Sequence, residues 1–196
     1  MKKTSKPDRS LRTQALDLLS RRDYSRRELS RKLARPKPGE QHGDLTGADH
    51  LLSDDPLLDD HEVLVEDAAA TAEVERESLL DEFEERGWLS DQRFSAAFVR
   101  SRAGRGLGPL RLTQELRQKG VSADEIRQAL NECEFDWFEL ALQTAQRKYR
   151  PDSADRKDPR KQKAALTRFL MYRGFDSEQI RYALEAVTAG ADDDEF

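Results

Sequence analysis

The stretch Gly106–Leu130 reads G-L-G-P-L-R-L-T-Q-E-L-R-Q-K-G-V-S-A-D-E-I-R-Q-A-L, and it decides the fold. Two helices are written into it with their punctuation. Pro109 suits a first helical position, where its missing N–H is not needed. Leu112 and Leu116 stripe one face. Gly120 follows the last turn, where glycine adopts a left-handed cap without steric cost. Ser122 and Glu125 form a capping box, after which Ile126 and Leu130 stripe the second helix.

The unit returns 54 residues later. Leu166 and Leu170 stand for Leu112 and Leu116, Arg173-Gly174 for Lys119-Gly120, and Ile180, Arg181, Ala183 and Leu184 for Ile126, Arg127, Ala129 and Leu130. A partial copy, Ser25-Arg26-Arg27-Glu28-Leu29 with Leu33, lies upstream. A Leu pair at helical spacing is common to any amphipathic helix. The shared spacing from pair to glycine to Ile/Leu is more specific, and it indicates internal repeats that bury their apolar faces on one another.

Working outward, Ser10 caps a first helix with Leu11, Ala15, Leu18 and Leu19 on one face. Ser25–Glu28 opens a second, which must stop near Arg35-Pro36. Residues 36–72 hold one lysine and ten carboxylates among several Pro and Gly, and read as a flexible acidic insert. A third helix is expected over 71–86, with Leu79, Leu80 and Phe83 inward, Gly87 as cap, and Trp88 and Leu89 closing the unit. Ser90 caps a helix carrying Phe94, Ala97 and Phe98. The glycines at 104, 106 and 108 read as a flexible hinge. Asp136 and Glu139 box a helix carrying Phe138, Ala141, Leu142 and Ala145. Residues 150–158 are a polar loop, and Asp176 with Gln179 boxes the last helix before a frayed tail. The expectation is an all-α chain of nine helices in three units: 10–89, interrupted by the insert, 90–134 and 135–189, then an acidic tail at 190–196.

Charged residues form 37% of the 196 and hydrophobic ones 36%, a balance that suits small helical bundles with wide solvated faces. A single cysteine, Cys133, excludes an intramolecular disulfide and reads as a small apolar residue ending a helix stripe. The N-terminus lacks the apolar core of a secretory signal, and no run approaches the ~18 apolar residues of a membrane span. A soluble, cytoplasmic protein is expected. His42, His50 and His61 all fall in the insert, at spacings unlike a metal site. The glycine loop has no preceding strand and no Lys-Ser/Thr ending, so it is not a phosphate loop. No acid–base pair or nucleophile–base set stands out. No metal, cofactor or catalytic residue is expected.

The net charge of −5 conceals an asymmetry. Residues 1–35 carry 12 Lys/Arg against 4 Asp/Glu, and residues 36–86 carry 3 against 17. Fields are local, so the clusters matter more than the total. Arg21, Arg22, Arg26 and Arg27 lie beside Tyr24. Arg100, Arg102, Arg105 and Arg111, with Arg117 and Lys119, follow one another with Glu115 as the one acid among them. Arg147, Lys148, Arg160, Lys161 and Lys163 form a third group. Each charge alone is ordinary solvated helix surface. Three clusters at corresponding turns of a repeat are candidates for phosphate contact, which is largely electrostatic. A helix N-terminus such as that at Pro109 adds backbone donors. Few aromatics accompany the clusters, so base stacking is not indicated.

Four segments carry a resemblance: A-L-D-L-L-S-R-R-D-Y-S-R-R-E-L-S-R-K-L (15–33), R-G-W-L-S-D-Q-R-F-S-A-A-F-V-R-S-R (86–102), G-P-L-R-L-T-Q-E-L-R-Q-K-G-V (108–121) and F-L-M-Y-R-G-F-D-S-E-Q-I-R-Y-A-L (169–184). In this order and spacing the chain resembles the RecX family of recombination regulators. It departs from the family pattern at Arg35-Pro36, at the insert, and at Arg76, which stands where an apolar residue is usual. The resemblance implies three tandem three-helix units in an elongated, curved array. It also implies a modulator, not an enzyme. Such a protein binds the RecA recombinase filament on single-stranded DNA, as a monomer, and restrains filament growth, strand exchange and SOS repressor cleavage. Two other readings stand beside it: a stand-alone DNA-binding protein with tandem helix-turn-helix units, and an enzyme of unrecognised type. The insert, net charge −9, is either an inert spacer or a tethered competitor for the basic surface.

Overall fold

The computed structural model describes residues 10–34, 60–148 and 159–192. Among them are nine helices and no strand: α1 (Leu11–Leu19), α2 (Arg26–Leu33), α3 (Asp60–Glu85), α4 (Asp91–Ala103), α5 (Pro109–Gln118), α6 (Ala123–Asn131), α7 (Trp137–Lys148), α8 (Pro159–Arg173) and α9 (Ser177–Asp192). They fall into two compact units, residues 1–90 and 91–196.

In the first unit α2 packs on both α1 and α3. Ser10 and Ser25 cap α1 and α2 by accepting from the Thr13 and Glu28 amides. The core is small: Ala15, Tyr24, Leu29, Leu33, Leu80, Phe83 and Leu89, with Leu11, Leu18, Leu19 and Leu79 at its margin. Trp88 stands half-exposed, edge-on to Phe83. Two expectations change here. Helix α3 begins at Asp60 and not near Thr71, so residues 60–72 of the expected insert are helical. The reason is local: from Leu57 to Arg86 there is neither Gly nor Pro, and Ala68–Ala70 are strong helix formers. Arg35 and residues 36–59 of the insert, with His42 and His50, lie outside the described residues. Arg76 fits its apolar position because polar partners satisfy it. Its Nε donates to Ser30 Oγ at 3.2 Å, and its guanidinium lies 3.3 Å from Glu73.

The second unit holds two helix triples, α4–α6 and α7–α9, each packed internally. One hydrophobic core runs through both, from Phe94 on α4 to Val187 on α9. The repeat is visible atom by atom. Gly120 and Gly174 both take positive φ, +85° and +90°. Val121 donates its amide to the Leu116 carbonyl and Phe175 donates to that of Leu170, the six-residue closure of a Schellman cap. Leu112, Leu116 and Leu170 are fully buried, and Leu166 nearly so. The helix that follows each glycine opens on a reciprocal box, Ser122 with Glu125 and Asp176 with Gln179. Gly87 makes the same kind of turn, Trp88 donating to Phe83, but it closes a triple instead of joining its second and third helices.

Some stripe assignments shift. On α4 the inward residues are Phe94, Ser95, Val99 and Ala103, while Ala97 is exposed. On α7 they are Leu140, Ala141, Thr144 and Ala145, and Phe138 lies out against Tyr182. Cys133 is half-buried at the core, its thiol donating to the Leu130 carbonyl. Helix α9 continues through Gly190 to Asp192, past the expected start of the tail; residues 193–196 and the 149–158 loop lie outside the described residues.

The largest correction is the glycine loop, which is a packed joint and not a hinge. The Gly108 amide donates to the Arg173 carbonyl at 2.9 Å, and the Leu110 amide to that of Gly174 at 3.0 Å. A β-carbon on Gly108 would meet the Gly174 carbonyl oxygen at 2.4 Å, and one on Gly174 would meet Arg111 Cβ at the same distance. A β-carbon on Gly106 would meet the buried Thr144 hydroxyl at 2.8 Å. Only glycine permits backbones this close. The α5 N-terminus, expected to offer donors to an anion, has two of its first amides engaged by α8 and its glycine cap.

Candidate functional site

The cations of the two units have different fates. In the first, Arg26 reaches from α2 to three carboxylates of α3: Glu77 at 2.8 Å, Asp81 at 2.7 Å and Glu84 at 2.6 Å. Burial pulls its pKa down, but the hydrogen bonds to Glu77 and Asp81 and the charge of Glu84 outweigh that and leave it above the ordinary arginine range. Arg26 therefore holds the fold. Arg12 of α1 does the same with Glu82 of α3, at 2.7 Å. That hydrogen bond holds the Glu82 carboxyl below its ordinary value against a smaller opposing effect of burial. Arg21 pairs with Asp17. Arg22 stacks on Tyr24 at 3.8 Å and donates to the Asp23 carbonyl. Of the four candidates here, Arg27 alone is exposed with no hydrogen bond or ion pair to another described residue.

In the second unit the joint gathers cations from elements far apart in sequence. Arg102 at the end of α4 and Arg111 on α5 share Glu115, at 3.8 and 3.1 Å. Arg111 also donates to the Tyr172 carbonyl at 3.2 Å and lies 5.0 Å from the centre of the Tyr172 ring. The Glu115 hydrogen bond, then that to Tyr172, raises its pKa from the ordinary arginine value. Arg173 donates to the Arg105 carbonyl at 3.0 Å and stacks on Phe169 at 5.0 Å, with Lys148 near the same ring. Arg102 and Lys119 both approach Phe98. The result is a strip of six cations, Lys119, Arg102, Arg111, Arg105, Arg173 and Lys148, with Phe98, Tyr172 and Phe169 interleaved and Glu115 bound between Arg102 and Arg111.

Arg105 of this strip, and Arg100, Arg117 and Arg147 of the same unit, are exposed and their side chains hold no hydrogen bond or ion pair among the described residues. Arg160, Lys161 and Lys163 are exposed along the first turns of α8. The sequence placed Arg100, Arg102, Arg105 and Arg111 together, and the joint does join the last three. It missed Arg173 and the aromatics. The clue available was the Y-R-G run at 172–174, an aromatic just before a repeated basic–glycine cap. The same triple carries a separate apolar groove of about 570 Å³ between α8 and α9, lined by Leu110, Met171, Phe175, Ile180 and Leu184 among others.

Among the described residues no group of three or more His, Cys, Asp or Glu side chains could hold a metal ion. No described helix is long and apolar enough to cross a membrane.

Comparison with known proteins matches residues 90–130 to the second three-helix domain of RecX and residues 134–184 to its third. The regulatory protein RecX of Shigella boydii serotype 4 is 37% identical over 169 residues, 85% of each chain. That of Salmonella paratyphi A is 34% identical over 167 residues, again 85% of each. Among solved structures, RecX from Lactobacillus salivarius superposes with a TM-score of 0.63 at 13% identity, covering 91% of this chain and 95% of its own. A second crystal structure of regulatory protein RecX gives 0.59 at 20% identity, over 89% and 70%.

Proposed function

The chain belongs to the RecX family of regulatory proteins, and on that premise we propose that it is a negative modulator of the RecA recombinase. It binds the recombinase filament on single-stranded DNA and restrains filament growth, strand exchange and SOS repressor cleavage. It acts as a monomer in the cytoplasm, as three three-helix units, and it is not an enzyme. The observation that carries the DNA side of this reading is the strip around the α5–α8 joint. There, cations from four helices and a loop converge around Glu115, and the side chains of Arg100, Arg105 and Arg117 hold no hydrogen bond or ion pair among the described residues, so they are available to meet phosphates. Arg27 in the first unit and Arg147, Arg160, Lys161 and Lys163 in the third triple are further contacts in the proposal.

The stand-alone helix-turn-helix reading needs a helix that offers Arg, Asn and Gln to a groove. Helix α6 spends those groups on itself: Arg127 pairs with Asp124 at 3.0 Å and the Gln128 amide donates to Glu132 at 2.8 Å. The test is co-sedimentation with recombinase filaments, with and without DNA. Co-pelleting that exceeds binding to bare single strands, with loss of strand exchange, supports a modulator. Binding to duplex DNA with no effect on the recombinase contradicts it.

A further inference from the structure

We propose that Tyr172 is a nucleobase-stacking residue: its ring is the platform on which a base of single-stranded DNA lies while the surrounding arginines hold the adjoining phosphates. This deepens the phosphate-contact reading above and rests on it.

Three observations carry the assignment. Tyr172 is 73% exposed, the most open of the large apolar and aromatic side chains described. A single exposed ring is ordinary; this one meets a guanidinium group from a residue 61 positions away in sequence. Second, the ring is oriented before any ligand arrives. Arg111 stands 5.0 Å from its centre and is fixed at two points, by its own Nε to Glu115 and by Nη1 to the Tyr172 carbonyl. A platform already ordered loses little freedom on binding. Third, the helix separates two faces. Met171 and Leu110 line the apolar groove toward α9, whereas Tyr172 is not among the groove residues and sits with Arg111. A protein anchor would be sought in the groove. An exposed aromatic among cations has the composition of a single-strand site, where rings stack on bases and cations follow the backbone.

The experiment measures binding of the full chain to a labelled oligothymidylate and to a length-matched oligomer with the same phosphates but no bases. Tyr172→Ala should weaken oligothymidylate binding about 5- to 100-fold and leave the abasic oligomer unaffected, while Tyr172→Phe and Tyr172→Trp restore the wild-type value. Arg105→Ala should weaken both oligomers alike. Equal binding of oligothymidylate by the wild type and Tyr172→Ala overturns the proposal, as does an equal loss on both oligomers. If Tyr172→Ala weakens only the recombinase filament and neither free oligomer, the ring touches protein and the assignment is wrong. If the wild type binds neither oligomer, the phosphate reading itself fails and stacking falls with it.

Discussion

Arg26 and Arg105 sit in basic stretches of similar density, yet one is held by three carboxylates and the side chain of the other holds no ion pair among the described residues. The difference lies in what packs next to them. In the first unit α3 brings Glu77, Asp81, Glu82 and Glu84 against α1 and α2, so basic side chains stitch a small core together. In the second unit the core is larger and the joint is closed by glycine; Arg102, Arg111 and Arg173 brace it, while the Arg105 side chain holds no ion pair among the described residues. A count of arginines alone would rate the two stretches as equal candidates; their neighbours separate them.

The comparison can be broken first at the cores. Leu116→Ala and Leu170→Ala each empty a fully buried site and should cost ~2–5 kcal/mol. Because one core spans both triples of the second unit, either change should lower amide-exchange protection through α4–α9 as a whole. Loss confined to the mutated triple would show that the core is divided.

The joint is the next place to press. Gly174→Ala forces a β-carbon onto the Arg111 backbone in a left-handed conformation, and should cost ~1–2 kcal/mol for the φ and a further ~1–3 kcal/mol for overpacking. Gly87→Ala meets nothing within 4 Å at φ +68° and should cost the conformational part alone. Equal melting shifts for the two would mean that the close approach of Gly174 and Arg111 is not a feature of the folded protein.

Arg26→Ala should destabilise the first unit by about 1–2 kcal/mol at low salt, the sum of several pairs worth ~0.2–1 each, and by less as salt screens them. An undiminished effect at high salt would point to lost packing of the side-chain stem instead. Acid should act on the same unit. Glu82 has a lowered pKa in the folded state, so its contribution is complete above the ordinary carboxylate value and is lost as pH falls through the lowered one. Exchange measured down a pH series should show α1 and α3 losing protection in that window, and Glu82→Gln should flatten the dependence.

The repeat was legible in the sequence because its signals are local: a Leu pair, a glycine and a capping box each act within a turn or two of helix. The joint was not. Gly108 and Gly174 are far apart in the chain, and nothing in either neighbourhood announces that the two backbones will touch. The same distance hid Arg173 and Tyr172 from a reading that sought aromatics inside the basic windows. It also hid the fate of Arg26, whose carboxylate partners lie beyond the insert. The start of α3 was masked by composition, since a carboxylate-rich segment reads as unstructured until its freedom from Gly and Pro is weighed.

The central claim is that the unpaired cations of the second unit, Arg105 first, meet phosphate while Arg26 is held by the carboxylates of α3. It is tested most directly by the salt dependence of binding to recombinase filaments on single-stranded DNA. Replacing Arg100, Arg102, Arg105 and Arg111 by Ala should weaken binding and reduce the log–log slope by ~0.7 for each phosphate that is no longer neutralised. Arg105 should contribute more than Arg102 or Arg111, which already share Glu115. Arg26→Ala should leave the slope unchanged. A slope that is insensitive to the four replacements but falls with Arg26→Ala would contradict the account.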